Sequence, residues 1–460
     1  MVKIKTITRS EDDRGKIKKS LNPEVHPFER AREYTRALNA VKLQKVFAKP
    51  FIGQLSGHSD GVSCLSRHPK NLQVLASGAC DGEIITWNVA YKQPLFQVQA
   101  HKGFVKGLAF TQDGDYILSC GTDQTVKLWD LQEVVQKKII DSLQEKEEMS
   151  FDNISNIKKH HDPVSTWLGP GAFTSIDYQR NSSCFATTCG ADVLLWDLNK
   201  NNHTHKYAWG SDTASYLKFN PVETYVLATL LNDRSITLFD TRGKTALKKV
   251  YLAMKSNSLS WNPVNPFNFV VANEDTNLYT FDIRNLSKVL YVHKDHVSAV
   301  LDVDYSPTGQ EFCSGSYDRS IRIFEEASYR SREVYHTQRM QRIFTVRYSA
   351  DSKYIFSGSD DMNIRIWKTV AHEPLRHVTP REKAQLQYSQ KLIERYKNVP
   401  ELASILRYRR VPKAIFNAKR VKTIMNKSAK RKLMNRLKHS KPGKIKVPTE
   451  KRKRIVAVEE

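Results

Sequence analysis

No stretch of the 460-residue chain approaches the ~18 consecutive apolar residues that a membrane span requires. The first residues, MVKIKTITRSEDDRGKIKK, contain no apolar run and carry acids, so no secretory signal is expected there. Cysteine is scarce: Cys64, Cys80, Cys120, Cys184, Cys189 and Cys313 are the six, and none forms a Cys-x-x-Cys pair. Neither a disulfide framework nor a zinc knuckle is therefore indicated, and reduced thiols in a cytosolic or nuclear protein are expected. Catalytic motifs are missing too. There is no Gly-x-Ser-x-Gly elbow. Gly243-Lys244-Thr245 resembles the end of a phosphate loop, but Leu238 stands where the earlier glycine is needed. His372-Glu373 and His377 are one residue too far apart for a zinc helix, and Pro374 interrupts them. His160, His161, His203 and His205 have no cysteine or carboxylate cluster around them. The chain is read as non-enzymatic, with no cofactor and no metal.

Charge is abundant but uneven. Net charge is +25. Residues 1–50 carry 13 Lys+Arg against 6 Asp+Glu, and residues 381–460 carry 25 against 6. The 330 residues between them are within one charge of neutral. Such asymmetry suggests a folded platform with arms for a polyanion.

The neutral centre repeats. An aromatic closes a strand-like run at Trp87, Trp129, Trp196, Phe239, Phe281, Phe324 and Trp367, at intervals of 42, 67, 43, 42, 43 and 43. Spacing of ~40–45 residues is that of a four-stranded propeller blade, and the long interval reads as one inserted loop, about 131–165. That insertion is mixed in charge and poor in apolar residues, which predicts a solvated loop. Six residues before the aromatic stands Asp81, Asp123, Asp233, Asp275, Asp318 or Asp361, and four before that, in four repeats, Ser77, Ser119, Ser314 or Ser357. An Asp there suits a tight turn, where its carboxylate accepts backbone N–H groups. Runs such as TVKLW, SIRIF and NIRIW alternate with the period of a half-buried strand.

These residues resemble the WD-repeat family, whose namesake dipeptide appears at Trp129-Asp130 and Trp196-Asp197. The resemblance implies an all-β, seven-bladed propeller over 51–370, closed by the strand near Phe51–Leu55. It also implies a buried His–Ser–Asp–Trp tetrad in a blade: His58, Ser77, Asp81 and Trp87 in the first, His101, Ser119, Asp123 and Trp129 in the second. His293 and His336 are the expected weaker counterparts of the tetrad histidines. Gly190 replaces the aspartate of the third blade. Repeated six times, the aspartates are assigned to stability, not chemistry.

The ends of the chain are read as a basic N-terminal arm, 1–50, and a basic, mostly helical C-terminal domain, 371–460. Thr379-Pro380-Arg381-Glu382 is a strong helix start. Behind it Ala384, Tyr388, Leu392 and Tyr396 form a stripe expected to dock on protein, for instance on the propeller's side. Pro400 and Pro412 mark two further helices. In the last, Ile415, Phe416, Ile424 and Met425 are expected to be a docked apolar face, and Lys419, Arg420, Lys422, Lys427, Lys430, Arg431 and Lys432 to meet RNA phosphates. Lys451-Arg452-Lys453-Arg454 matches a nuclear import signal.

The segments His26–Tyr34, Arg36–Ala40, Phe47–Phe51, Asp295–Val300, Ser306–Gly309, Ser331–His336 and Arg381–Lys383 together resemble the Sof family of nucleolar WD-repeat proteins. The family's basic C-terminal step reads Arg407-Tyr408-Arg409-Arg410-Val411-Pro412 here, without its histidines. The resemblance implies a small-subunit processome factor that associates with pre-ribosomal RNA, a box C/D small nucleolar RNA and processome proteins, and that serves maturation of small-subunit ribosomal RNA in the nucleolus. A second reading rests on Asp240-Thr241-Arg242 and Asp282-Ile283-Arg284, which resemble the paired boxes of WD-repeat substrate receptors of cullin-RING ubiquitin ligases. Asp240, Arg242, Asp282 and Arg284 would then contact the ligase adaptor.

Overall fold

The computed structural model describes residues 28–131, 162–208, 212–243, 245–441 and 443–459. Seven antiparallel sheets follow one another along the chain, each meandering outward from an inner strand. Blade one is built from Val62–Arg67, Val74–Ala79, Glu83–Asn88 and Gln93–Gln99. The closing strand is Phe51–Ser56, which pairs with Asn363–Lys368 of blade seven through Phe51↔Trp367 and Leu55↔Ile364. The ring is thus sealed by the start of the propeller sequence, and the seven-bladed expectation holds. The insertion falls between the third strand of blade two, Thr125–Asp130, and its outer strand, Ser165–Leu168. Residues 132–161 of it, and the solvated character expected there, lie outside the described residues.

Each blade buries both faces because its neighbour supplies the second wall. Leu55, Ile364 and Ile366 of blade seven share a core with Val62, Leu75, Ile85 and Trp87 of blade one. Blades four and five share the larger core of Leu230, Leu238, Trp261, Phe269, Val271 and Phe281. Every turn between the second and third strands places one residue in left-handed backbone: Gly82, Gln124, Gly190, Arg234, Thr276, Arg319 or Met362. In every blade but the third an aspartate precedes that residue and stabilises the turn by accepting the N–H two residues on, as in Asp123 with Thr125 (3.2 Å) and Asp318 with Ser320 (3.0 Å). At Gly82 a side chain is barred twice over. Its φ is +92°, and a Cβ would fall 2.0 Å from the His101 carbonyl oxygen.

The chain divides into two compact units: residues 49–371 with 409–460, and residues 1–48 with 372–408. The single C-terminal domain expected over 371–460 is therefore shared between them. Among its described residues the smaller unit contains three helices, α1 (Glu29–Val46), α2 (Pro380–Tyr396) and α3 (Pro400–Arg407). Helix α2 starts where the sequence placed it: Thr379 accepts the Glu382 N–H at 3.4 Å, with Pro380 in the first turn. Its stripe docks only in part. Leu392 and Tyr396 pack with Tyr34, Ala37 and Val41 of α1 and Leu402 of α3, whereas Ala384 and Tyr388 are exposed. Glu33 accepts from Arg395 (2.8 Å) and from the Tyr396 hydroxyl (3.0 Å). The N-terminal region is thus a partner helix for the C-terminal one rather than only an arm.

Residues 409–459 belong to the propeller unit. They form helix α4 (Lys413–Lys438) and a final strand, Ile455–Glu459. That strand pairs antiparallel with the outer strand of blade four, Ala246–Leu252, through Lys249↔Glu459 and Tyr251↔Ala457. Blade four therefore has five strands, and its outer edge is covered.

Candidate functional site

The tetrads hold the polar groups that the ring keeps for itself. Blade two is complete. His101 Nδ1 meets Asp123 at 2.9 Å, His101 Nε2 meets Ser119 Oγ at 2.9 Å, and Trp129 Nε1–H donates to the same Oγ at 2.9 Å. Burial lowers the His101 pKa, against the pull of Asp123. Burial would raise Asp123, but His101 and Thr125 outweigh it and hold its carboxyl below the usual range. In blade one the expected set is broken. Ser77 joins His58 (2.6 Å) and Trp87 (2.7 Å), but His58 Nδ1 faces Glu83 at 3.4 Å. Asp81 accepts from Ser59 and from the Glu83 N–H instead. The His-to-Ser spacing here is 19 residues, not the 18 of blade two, so the histidine enters the blade one residue out of step.

Neither His293 nor His336 is a tetrad member. His293 Nδ1–H donates to the Ser328 carbonyl (2.6 Å) and its Nε2 accepts from the Thr280 hydroxyl (2.9 Å), and His336 reaches the Arg410 carbonyl oxygen at 3.3 Å. The tetrad histidine of blade six is His296, 2.7 Å from Ser314 and 3.0 Å from Asp318, with Phe324 in the tryptophan's place. Its 18- and 22-residue offsets equal those of His101, a signal legible in the sequence.

The residue before it organises the C-terminal tail. Asp295 is 2 % exposed at its side chain and faces four cationic or polar donors. Ser331 donates from its N–H and hydroxyl, Arg322 lies at 3.5 Å, Arg409 at 3.3 Å and Lys419 at 2.6 Å. Burial would raise its pKa, but Arg322, Lys419 and Ser331 prevail and lower it to about 2. Two of the tail's cations thus end on one buried carboxylate of the ring. Lys422 goes further in: its ammonium donates to the His296 carbonyl (3.0 Å) and to the Thr276 hydroxyl, and burial lowers its pKa. After α4 the chain returns across the same blades. Lys294 pairs with Glu450 (2.5 Å), Arg454 with Asp275 (3.4 Å), and the Ala253 N–H donates to the Arg454 carbonyl (2.9 Å).

This seat corrects the expected division of α4. Ile415 is buried, but Phe416, Ile424 and Met425 are 62, 59 and 66 % exposed. The seated face runs instead through Ile415, Lys419 and Lys422, spaced i, i+4, i+7 along one side of the helix. Lys419 and Lys422, read as RNA contacts, serve the ring. Arg420, Lys427, Lys430, Arg431 and Lys432 are exposed. The basic cluster read as an import signal is partly engaged as well, through Arg454 and through Lys453 beside Glu450 (3.8 Å). The signal missed in the sequence was Asp295, an acid in a near-neutral ring with nothing local to mark its distant partners.

The Asp-x-Arg boxes adopt one geometry twice. Arg242 forks onto Asp240 through Nε (3.1 Å) and Nη2 (2.9 Å) and lies over the Tyr225 ring at 4.8 Å. Arg284 forks onto Asp282 at 3.1 and 2.9 Å and lies over Phe267 at 4.6 Å. Hydrogen bonds from these arginines hold both carboxyls below the usual range. Each arginine side chain is 65 % exposed, so the pair presents two braced guanidinium edges on consecutive blades.

Comparison with known proteins agrees with this architecture. A Sof1-like domain matches residues 369–455, and the WD domain, G-beta repeat, matches 49–88, 92–130, 287–325 and 332–368. The chain is 46 % identical over 467 residues to the DDB1- and CUL4-associated factor 13 of Xenopus tropicalis, covering all of both chains. It is 45 % identical to the human protein of that name, covering 99 % of this chain and all of the relative. Protein SOF1 of Saccharomyces cerevisiae is 44 % identical over 454 residues, 94 % of this chain and 91 % of that one. The crystal structure of the WD40 propeller of Doa1 superposes with a TM-score of 0.56 at 17 % identity, over 69 % of this chain and 96 % of that one, a likeness of fold.

Proposed function

The chain belongs to the family of Protein SOF1 and DDB1- and CUL4-associated factor 13, WD-repeat proteins with a Sof1-like domain, and from that membership we propose that it is a ribosome biogenesis factor. In this reading it acts without catalysis, as a scaffold of the small-subunit processome in the nucleolus. It binds pre-ribosomal RNA and box C/D small nucleolar RNA together with processome proteins. The observation that carries the RNA reading is α4. Its 26 residues hold ten lysines and arginines and no acid. Lys419 and Lys422 fix it on the ring, while Arg420, Lys427, Lys430, Arg431 and Lys432 remain exposed. A helix anchored in this way holds its outer cations in fixed positions for phosphates, and phosphate contact releases counterions without reading sequence.

Replacing those five exposed cations by glutamine is expected to weaken RNA crosslinking. It should also flatten the salt dependence of binding by about 0.7–0.9 for each phosphate left unneutralised. Unchanged crosslinks and an unchanged slope would remove α4 as the RNA arm. Depletion of the protein is expected to lower small-subunit ribosomal RNA and leave the large-subunit species nearly normal; equal loss of both would sink the small-subunit role.

A second reading has its own support in the repeated Arg-on-aromatic geometry of Arg242 and Arg284, and in the relatives' name, DDB1- and CUL4-associated factor. Here the braced guanidinium groups contact a cullin-ligase adaptor. The double variant Arg242→Ala, Arg284→Ala should lose adaptor co-purification and keep sedimentation with pre-ribosomes. Retained adaptor binding would refute the assignment.

A further inference from the structure

Helix α4 has three sides: the seat takes one, and three of the five cations of the RNA reading line a second. One side, through Ile415, Lys419 and Lys422, is seated on the ring. A second carries Arg420, Lys427 and Arg431, spaced i, i+7, i+11. The third runs through Ala414, Ala418, Val421 and Met425 at intervals of four, three and four, with Ile424 on its border toward Arg420 and Arg431 and Ser428 completing the next step. Those intervals keep side chains on one stripe of a helix. The stripe is open: Val421, Ile424 and Met425 are 56, 59 and 66 % exposed, and Ala414 and Ala418 are exposed as well. Phosphates have no use for it. A stripe of aliphatic side chains and alanines on the rigid side of an anchored helix is suited to close packing against another helix.

We propose that this stripe is the docking site of an amphipathic, acidic helix from a partner protein. Charge complementarity selects the partner's chemistry. The helix has ten cations and no acid, with Arg420 and Lys427 along one flank of the stripe and Lys432 at its end. A helix that laid its apolar face on Val421, Ile424 and Met425 would set its borders against those cations, so Asp and Glu there are favoured and Lys and Arg are repelled. The alanines at 414 and 418 let the partner approach closely at one end, and the longer Ile424 and Met425 fill the other. Arg420, Lys427 and Lys432 also belong to the RNA reading, so the two readings share cations; what this site adds is the apolar stripe itself, which phosphate contact leaves uncovered.

The test uses the full-length protein in cells, with Met425→p-benzoylphenylalanine as the crosslinking probe. Irradiation is expected to yield a protein adduct that survives RNase. The crosslinked partner peptide should repeat apolar residues at three- and four-residue spacing and carry Asp or Glu on its flanks. A second change, Ile424→Asp, should cut the adduct about tenfold or more, the scale expected when one aliphatic side chain is no longer buried at the interface. Ile424 is exposed, so the ring should unfold at an unchanged denaturant midpoint in that variant. An adduct to RNA alone, to this chain or a second copy of it, to a peptide without acids, or no adduct at all would overturn the proposal. RNA crosslinks of the five-glutamine variant report separately on the RNA arm, so the two failures are distinguishable.

Discussion

The ring and its tail bury charge by opposite rules. In blade two, His101, Ser119 and Asp123 satisfy one another within a single sheet, and the tetrad's tryptophan is 3 % exposed. In the tail, Arg409 and Lys419 reach a carboxylate more than a hundred residues away, from side chains that are 20 and 52 % exposed. The first arrangement ties polar groups to the folding of a blade. The second ties a helix to a surface by ion pairs that water still touches, and exposed pairs are individually weak. Damage to the ring should therefore be felt throughout the propeller, whereas damage to the outer tail contacts should release the tail alone. Asp295 is the exception that joins the two, because it is buried in the ring and shared with the tail.

The largest effect should come from the ring's aromatics. Trp129→Ala is expected to cost about 3–5 kcal/mol, by loss of transfer energy and creation of a cavity. Phe416→Ala in the tail, which removes a ring that is already 62 % exposed, should change stability by no more than about 0.5 kcal/mol. Urea unfolding of both variants measures the contrast, and equal costs would erase it.

Next is the shared carboxylate. Asp295→Asn leaves Arg322, 2 % exposed, facing a neutral group, and should cost about 3 kcal/mol. Lys419→Gln removes a half-exposed partner and should cost about 1 kcal/mol or less. If the lysine variant were the more damaging in urea unfolding, the tail would be holding the ring together rather than resting on it.

Acid should separate the regions by a smaller, graded effect. Burial against Phe312 and Phe324 lowers the His293 pKa to about 4, although the Ser328 carbonyl pulls it upward. A histidine whose folded pKa is depressed takes up its proton more readily in the unfolded chain. Its contribution is complete above the ordinary value of 6.5 and is lost as pH falls from there toward about 4, at up to about 1.4 kcal/mol per pH unit. His293→Gln should flatten the pH dependence of ring stability in that window. The Asp295 contacts, with a carboxyl near 2, should persist through it.

The smallest effect is local. Removing Ile455–Glu460 uncovers the outer strand of blade four, and hydrogen exchange is expected to quicken at Ala246–Leu252. The inner strand of that blade, Ala214–Phe219, should keep its protection. Uniform loss across the blade would show that the added strand is part of the fold rather than a cover.

Much of the ring was legible in the amino-acid order because a blade is a local object. The aromatic period, the turn aspartates and the closing strand at Phe51 all involve partners within one repeat or at its two ends. Two details escaped this logic. The extra residue between His58 and Ser77 handed Asp81 to Ser59, and the tetrad histidine of blade six stood at 296 rather than 293.

For the tail, sequence alone determined composition and helicity: prolines at 380, 400 and 412 precede or begin its helices, and its charge is overwhelmingly positive. Which side of α4 docks was decided only by the tertiary structure. Helical spacing offers several stripes of similar character, and the one that docks is the one whose Ile415 is buried, whose Lys419 meets the buried Asp295 and whose Lys422 meets the His296 carbonyl and Thr276. The same holds for the last strand. Its backbone groups pair with whatever edge lies open, and only the folded ring places the edge of blade four within reach.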